Sequence, residues 1–425
     1  MNYFGYTSLG VPSTIYSSGK RAVYNASFIP YTIKDFDPIH IITDCEPTFD
    51  SYMRSVLNNV RYPCYKIELL RWDETVIRTI EQFVVNNSGS VDISNSEGVR
   101  RTCSFKMHNI GGESLELINA LSICSKFRVF LGELINGRPY YFVNGVYLFD
   151  DPSISGGQAT REISISGTDK WSMLNGKHGG IIEGTYTVKA GSTVGDVIRR
   201  TLCLDIVNDP VAPNVDPALE NELVTYDITK SAGSTVADIF LDVALNVNGT
   251  CYYDEEGRFT LKKIEDNRFR CVAHDFGVKD FTYQSSTKKL NYSGIYNSVL
   301  VVGENIKDTE TEVRFELKNE DLSDPYSIPN SGIKKVFKVS EYVNGIDTEQ
   351  KAIERAYYEM DLIRRNYSSI SINCATLLYL NENDVITLHD SSIDENSTAK
   401  YIINSISRPI GTDLGMTMEV SRIWE

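Results

Sequence analysis

From Tyr62 onward the chain alternates apolar and polar residues with a period of two. Tyr65, Ile67 and Leu69 fall on one side and Cys64, Lys66 and Glu68 on the other. The same alternation predicts strands at 75–80, 89–93, 101–107, 126–131, 138–149 and 161–166, punctuated by Asn87-Ser88-Gly89, Asn136-Gly137 and Ser155-Gly156-Gly157. With a single helical stretch near 113–120, this spacing predicts a closed antiparallel barrel or a sandwich over 61–177. A second strand-rich region fills 269–425, with strands expected at 370–380, 384–389, 401–407 and 417–423. One helix interrupts it near Asp347 or Thr348, with Ala352, Ile353, Ala356, Tyr357, Met360 and Ile363 as its apolar stripe.

Between these regions, over 178–268, the period changes and a segment repeats. Thr185-Tyr186-Thr187-Val188-Lys189-Ala190-Gly191-Ser192-Thr193-Val194 returns as Thr225 to Val236, with its Ala-Gly-Ser-Thr-Val core displaced by 42 residues. Each copy reads as a strand, a Gly turn, a Thr N-cap with Asp three residues on, and an apolar helix over 194–202 or 236–247. A hairpin follows across Asp254-Glu255-Glu256-Gly257, with Gly at the position that needs positive φ. The ends of the two strand-rich regions also resemble each other. Tyr147 to Trp171 and Tyr401 to Trp424 both run through a strand, Ser-Ile-Ser, a Gly turn, an alternating strand and Trp. Two related barrels per chain would give a ring with twice as many β units as chains, so a trimer would present a pseudo-sixfold face.

Residues 1–60 differ from both regions. Tyr3, Phe4, Tyr6 and Tyr16 open an aromatic series in a turn-rich background without a sustained period, which reads as an extended arm. Such aromatics either anchor the arm on a neighbouring subunit, making these four the candidate partner-binding residues, or wrap it on its own domain. Phe49, Tyr52, Met53, Val56 and Leu57 then sit at helical spacing behind Asp50.

At 425 residues the chain has room for two to four domains, and its 41% hydrophobic content is that of a folded protein. The net charge of −15 argues against a dedicated nucleic-acid binder, though not against a surface that DNA slides past. No apolar run is long enough for a membrane helix and no secretory leader is expected. The eight cysteines lack metal-ligand spacing and read as small core residues in a reducing compartment. Catalytic signatures are missing, so neither enzyme activity nor a cofactor is expected. His274-Asp275 and His389-Asp390 are neighbours on strands and point to opposite faces, which makes poor dyads. Asp390, Asp394 and Glu395 crowd a loop whose spacing matches no Ca²⁺ geometry and read as a solvated turn.

The repeat looks like the opening of a LysM module, a peptidoglycan-binding unit. The wider order is more specific: Gly98 to Phe105, Ile163 to Trp171, Tyr252 to Phe259, Val299 to Asn305 and a terminal Arg422-Ile423-Trp424-Glu425. Together these resemble the baseplate hub (tail hub) proteins of long-tailed bacteriophages and related prophage-derived particles, over roughly 62–425. The resemblance implies a mainly β, α+β chain in which two tube-type antiparallel β-barrels are joined by small LysM-like βα units. It implies a homotrimer in the virion tail, assembled in the host cytoplasm, that adapts a sixfold tube to a threefold tip and lets DNA pass. Its expected partners are the tail tube or distal tail protein, the tip or spike protein and the tape measure protein, with no membrane insertion by this chain. The LysM-like units are expected to be structural decoration. The alternative, motivated by the two LysM-like units and the abundant carboxylates, is a peptidoglycan-binding or wall-degrading tail-tip protein.

Overall fold

The computed structural model describes residues 47–57, 61–96, 98–108, 125–156, 162–265, 267–277, 280–290, 295–304, 312–343, 346, 348–365, 367–393 and 399–423. It also gives the backbone of Tyr3–Gly5 (β1) and Ile29–Tyr31 (β2), which pair antiparallel. Helix α1, Phe49–Leu57, buries Tyr52, Met53 and Val56 as its spacing predicts.

The first β region contains β3 (Pro63–Leu70), β4 (Val76–Thr79), β5 (Gly89–Ser94), β6 (Arg101–His108), β7 (Lys126–Ile135), β8 (Arg138–Phe149), β9 (Ser153–Ser155) and β10 (Glu162–Asp169). Residues 113–120, expected to be helical, lie outside the described residues. Asn136 and Gly137 both take positive φ between Ile135 and Arg138, the backbone that a two-residue hairpin turn requires.

The middle region runs through β11 (Tyr186–Val188), α2 (Val194–Leu202), β12 (Asn214–Val215), β13 (Ile228–Lys230), α3 (Val236–Asn246), β14 (Gly249–Tyr253) and β15 (Phe259–Lys263). Its repeat folds on a local two-fold axis. Thr187 faces its own repeat mate Thr229, hydroxyl to hydroxyl at 3.1 Å. Ile182 N–H donates to Ser234 O, and the displaced equivalent, Val224 N–H to Ser192 O, recurs. The bridges Ile181 to Thr235 and Thr193 to Leu223 are related in the same way. Each copy's Gly-Ser-Thr turn is therefore held by the segment leading into the other copy. Separately stable modules would satisfy those backbone groups within one copy.

The last region contains β16 (Val272–Phe276), β17 (Tyr283–Leu290), β18 (Ser298–Glu304), β19 (Glu312–Lys318), α4 (Ile328–Ser331), β20 (Val336–Val343), α5 (Glu349–Arg365), β21 (Ser368–Ala375), β22 (Val385–Leu388), β23 (Lys400–Ile410) and β24 (Gly415–Arg422). Strands β18 to β20 form their own three-stranded sheet under α5, with a separate core around Val299, Val301, Ala352, Ala356 and Met360. This layer is inserted between β17 and β21. The expected stripe of α5 is corrected at one position: Tyr357 is 56% exposed and Glu359 is buried instead. Glu359 follows Ala356 by three residues and so shares its face, and Arg355 neutralises it from one turn earlier at 2.5 Å.

Fourteen strands of the two β regions form one continuous hydrogen-bonded sheet. Its halves are copies of one ladder. The first pairs in the order β5-β6-β10-β8-β7-β3 and the second in the order β17-β21-β24-β23-β22-β16. The register agrees residue by residue. Cys103 lies between Val91 and Gly167, as Ile370 lies between Lys288 and Val420. Tyr147 lies between Phe127 and Asp169, as Tyr401 lies between Ile386 and Arg422. Ser153 faces Ser164, as Ser407 faces Thr417. By this register the long β23 corresponds to the end of β8 together with β9. One difference stands out: β3 runs antiparallel to β7, whereas β16 runs parallel to β22.

Candidate functional site

The two copies meet where β5, the edge strand of the first, adds to β23 of the second. Six pairs run from Ser405 opposite Ser94 to Ile410 opposite Gly89. Only the first residues of β23 pair with β22, which leaves the rest of that edge for β5. Arg408, opposite Val91, is buried, and its guanidinium donates to Asn144 Oδ1 of the first copy at 2.5 Å and to the Leu380 carbonyl. Burial lowers its pKa to about 10. On the outer face Ser407 Oγ donates to Asp92 Oδ1 at 2.5 Å. Asn86 and Asn87 close the end of the joint, their side-chain carbonyls accepting the N–H groups of Thr412 and Asp413 at 3.0 Å. Helix α1 adds a second clamp. Tyr52 OH accepts from Leu378 N–H at 2.9 Å, while Ser55 donates to Glu133 of β7, the carboxylate that also holds Arg61.

A buried ionic junction ties the middle region to this joint. Asp169, at the end of β10, accepts the N–H groups of Arg100 (2.8 Å), Arg101 (2.9 Å) and Trp171 (3.1 Å). Burial raises its pKa to about 6, with those three donors opposing the rise. The Arg101 side chain pairs with Glu382 of the second copy at 2.9 Å and donates to the Tyr253 carbonyl at 2.9 Å. Lys170 is fully buried and holds Asp209 at 2.6 Å, Glu74 at 2.9 Å and the Gly257 carbonyl at 2.8 Å. Gly257 sits at φ 73° on the hairpin after the repeat, and a Cβ there would come within 2.8 Å of Val146. Lys126 shares Glu74, and burial followed by repulsion from Lys170 lowers its pKa to about 8. Three regions thus meet through charges that are buried and paired.

Of the residues singled out in the sequence, Tyr3 and Phe4 lie in β1, where only the backbone is described, and Tyr6 and Tyr16 lie outside the described residues. His274 is buried, with Asp280 at 2.7 Å on Nε2 and Tyr379 OH at 2.7 Å on Nδ1. His389 pairs with Asp275 at 2.8 Å across β16 and β22. Neither histidine uses its sequence neighbour, as the strand geometry requires. The Asp390 carboxylate accepts hydroxyls from Ser392 and Tyr283, and Asp394 and Glu395 lie outside the described residues. Among the described residues no cluster of His, Cys, Asp and Glu fits a metal ion, and no helix is long and apolar enough to cross a membrane. Of the eight cysteines read as core residues, Cys45 and Cys124 lie outside the described residues, Cys64 is half-buried, and the reading is corrected at two positions. Cys103, Cys251 and Cys374 are buried, but Cys203 and Cys271 are exposed, because they follow α2 and precede β16 rather than lying within a buried strand. Sequence reasoning missed the joint itself, for which the only signal was the similarity between the two region ends.

No family model matches the chain, and no curated protein matches it significantly. Solved structures do. A tail protein from Neisseria meningitidis MC58 aligns over 85% of this chain and 97% of its own length at 11% identity, with a TM-score of 0.58. The 43 kDa tail protein of prophage MuSo2 from Shewanella oneidensis aligns over 84% and 98% at 12% identity, with a TM-score of 0.54. A Francisella PdpA–VgrG complex aligns over 87% of this chain at 13% identity and a TM-score of 0.52, and the chain spans 55% of that longer partner. The duplicated ladder, with its small middle region and its inserted layer, is therefore the fold of phage tail proteins, the fold that the tail-hub resemblance implies.

Proposed function

We propose that the chain is a structural subunit of a phage-type tail, located at the baseplate or tip, and that three copies close into a ring. The carrying observation is the residue-by-residue duplication of one strand ladder in a chain with the fold of tail proteins. A ring of three such chains has six similar β units. It can therefore face a sixfold tube on one side and a threefold tip on the other. Its partners are a tail tube or distal tail protein above, a tip or spike protein below, and the tape measure protein. In this reading the chain works as a scaffold, without turnover or cofactor. DNA passes through the ring, and the charge of −15 keeps phosphates from adhering to the lumen.

Electron microscopy of the purified chain tests this reading. Face views should show six lobes under threefold symmetry around an opening. Single unassociated particles that sediment with purified peptidoglycan would instead favour the wall-binding alternative.

A further inference from the structure

The joint inside each chain specifies the joint between chains. Within the chain, the edge strand of the first ladder (β5) pairs with the second half of β23. By register, the edge strand of the second ladder is β17 and the counterpart of that half of β23 is β9. Neither has a partner on its outer side among the described residues: β17 pairs only with β21, and β9 only with β10. Both are solvent-exposed. All three residues of β9 are exposed, with Ile154 at 53%, and of the β17 residues beyond Tyr283 all but Ser286 are exposed. An exposed strand edge presents a row of N–H and C=O groups on which a further strand can pair.

We propose that β17 of one chain adds antiparallel to β9 of the next, repeating the β5 and β23 joint and closing the ring. The template gives the register. Ser407 opposite Asp92, Arg408 opposite Val91 and Pro409 opposite Ser90 translate into Ser153 opposite Lys289, Ile154 opposite Lys288 and Ser155 opposite Thr287. The charges agree with this direction. Lys288 and Lys289 on β17 meet a strand preceded by Asp150 and the exposed Asp151. Asp150 already holds Lys177 at 2.5 Å, which leaves Asp151 to meet Lys289 diagonally across the new ladder. The contact is head-to-tail, the type that generates rings.

This inference rests on the ring reading, and the experiment separates the two. The full chain carrying Ser153→Cys together with Lys289→Cys is oxidised and run on a denaturing gel. The unsubstituted chain and each single variant serve as background for the eight native cysteines. Ser153 and Lys289 fall on the outer face, where Ser407 meets Asp92, so covalent dimers and trimers are expected from this pair. Ser153→Cys with Lys288→Cys, which point to opposite faces, should give none. The double variant Lys288→Glu, Lys289→Glu should fall apart to monomers with an unchanged circular dichroism spectrum. A trimer by light scattering with no covalent product at the matched pair would overturn the joint and leave the ring standing. A monomer with no covalent product would overturn both.

Discussion

Glu74 shows how a single residue is selected against its own backbone preference. It occupies the turn between β3 and β4 at φ 64°, a region that costs a non-glycine residue about 1–2 kcal/mol. Its carboxylate meets Lys170 and Arg128 at 2.9 Å and Lys126 at 3.4 Å, all three from elsewhere in the chain. Glu74→Gly relieves the strain but takes this carboxylate from the buried Lys126, while Lys170 keeps Asp209, a loss of about 3–5 kcal/mol against a gain of about 1–2, so the variant should be less stable by about 1–4 kcal/mol at pH 7. Burial alone would raise the Glu74 pKa, but Lys170, Lys126 and Arg128 outweigh it and hold it below the ordinary carboxylate value. A depressed carboxyl stabilises the fold above its unfolded pKa and loses that contribution as pH falls through its folded one. The gap between wild type and Glu74→Gly, read from urea unfolding, should thus hold from pH 7 to about pH 5 and close in stronger acid. A gap that widened in acid would show that Glu74 is not the counter-ion. None of this was legible in the sequence. Glu74, Lys126, Lys170 and Asp209 look like ordinary surface charges until the sheet brings them together.

Local elements were legible where the signal is local. Helices α2 and α3 begin where the Thr and Asp spacing places them, and only the second builds the full capping box. Thr235 Oγ1 accepts from Asp238 N–H, while Asp238 accepts from Thr235 N–H at 2.8 Å. In the first copy Thr193 reaches only the Asp196 side chain, without a cap bond to the backbone. Thr235→Ala should therefore cost about 1 kcal/mol of stability in denaturant unfolding. Thr193→Ala should cost measurably less, and equal losses would contradict the asymmetry. Strand ends were read less well, because pairing rather than propensity sets them. The alternation along β23 fades at Ser407, yet the strand continues through Pro409 to Ile410 because β5 lies alongside. The pairing with β24 stops at Ser407 opposite Thr417, so Pro409 has a ladder partner on one side, Ser90 of β5, and its missing N–H is tolerated.

At the scale of the whole molecule, the sequence showed two strand-rich regions with similar ends but not that they form one sheet. Nothing local encodes that Gly89–Ser94 will pair with Ser405–Ile410, since the partners are separated by most of the chain. What the fold adds is a repeated joining rule, satisfied once within the chain and, among the described residues, left open at β9 and β17. A chain built on that rule should not remain alone in solution. Light scattering of the purified chain measures this most directly. The account predicts a species of about three times 47.8 kDa. A species of 47.8 kDa that persists as concentration rises would contradict it.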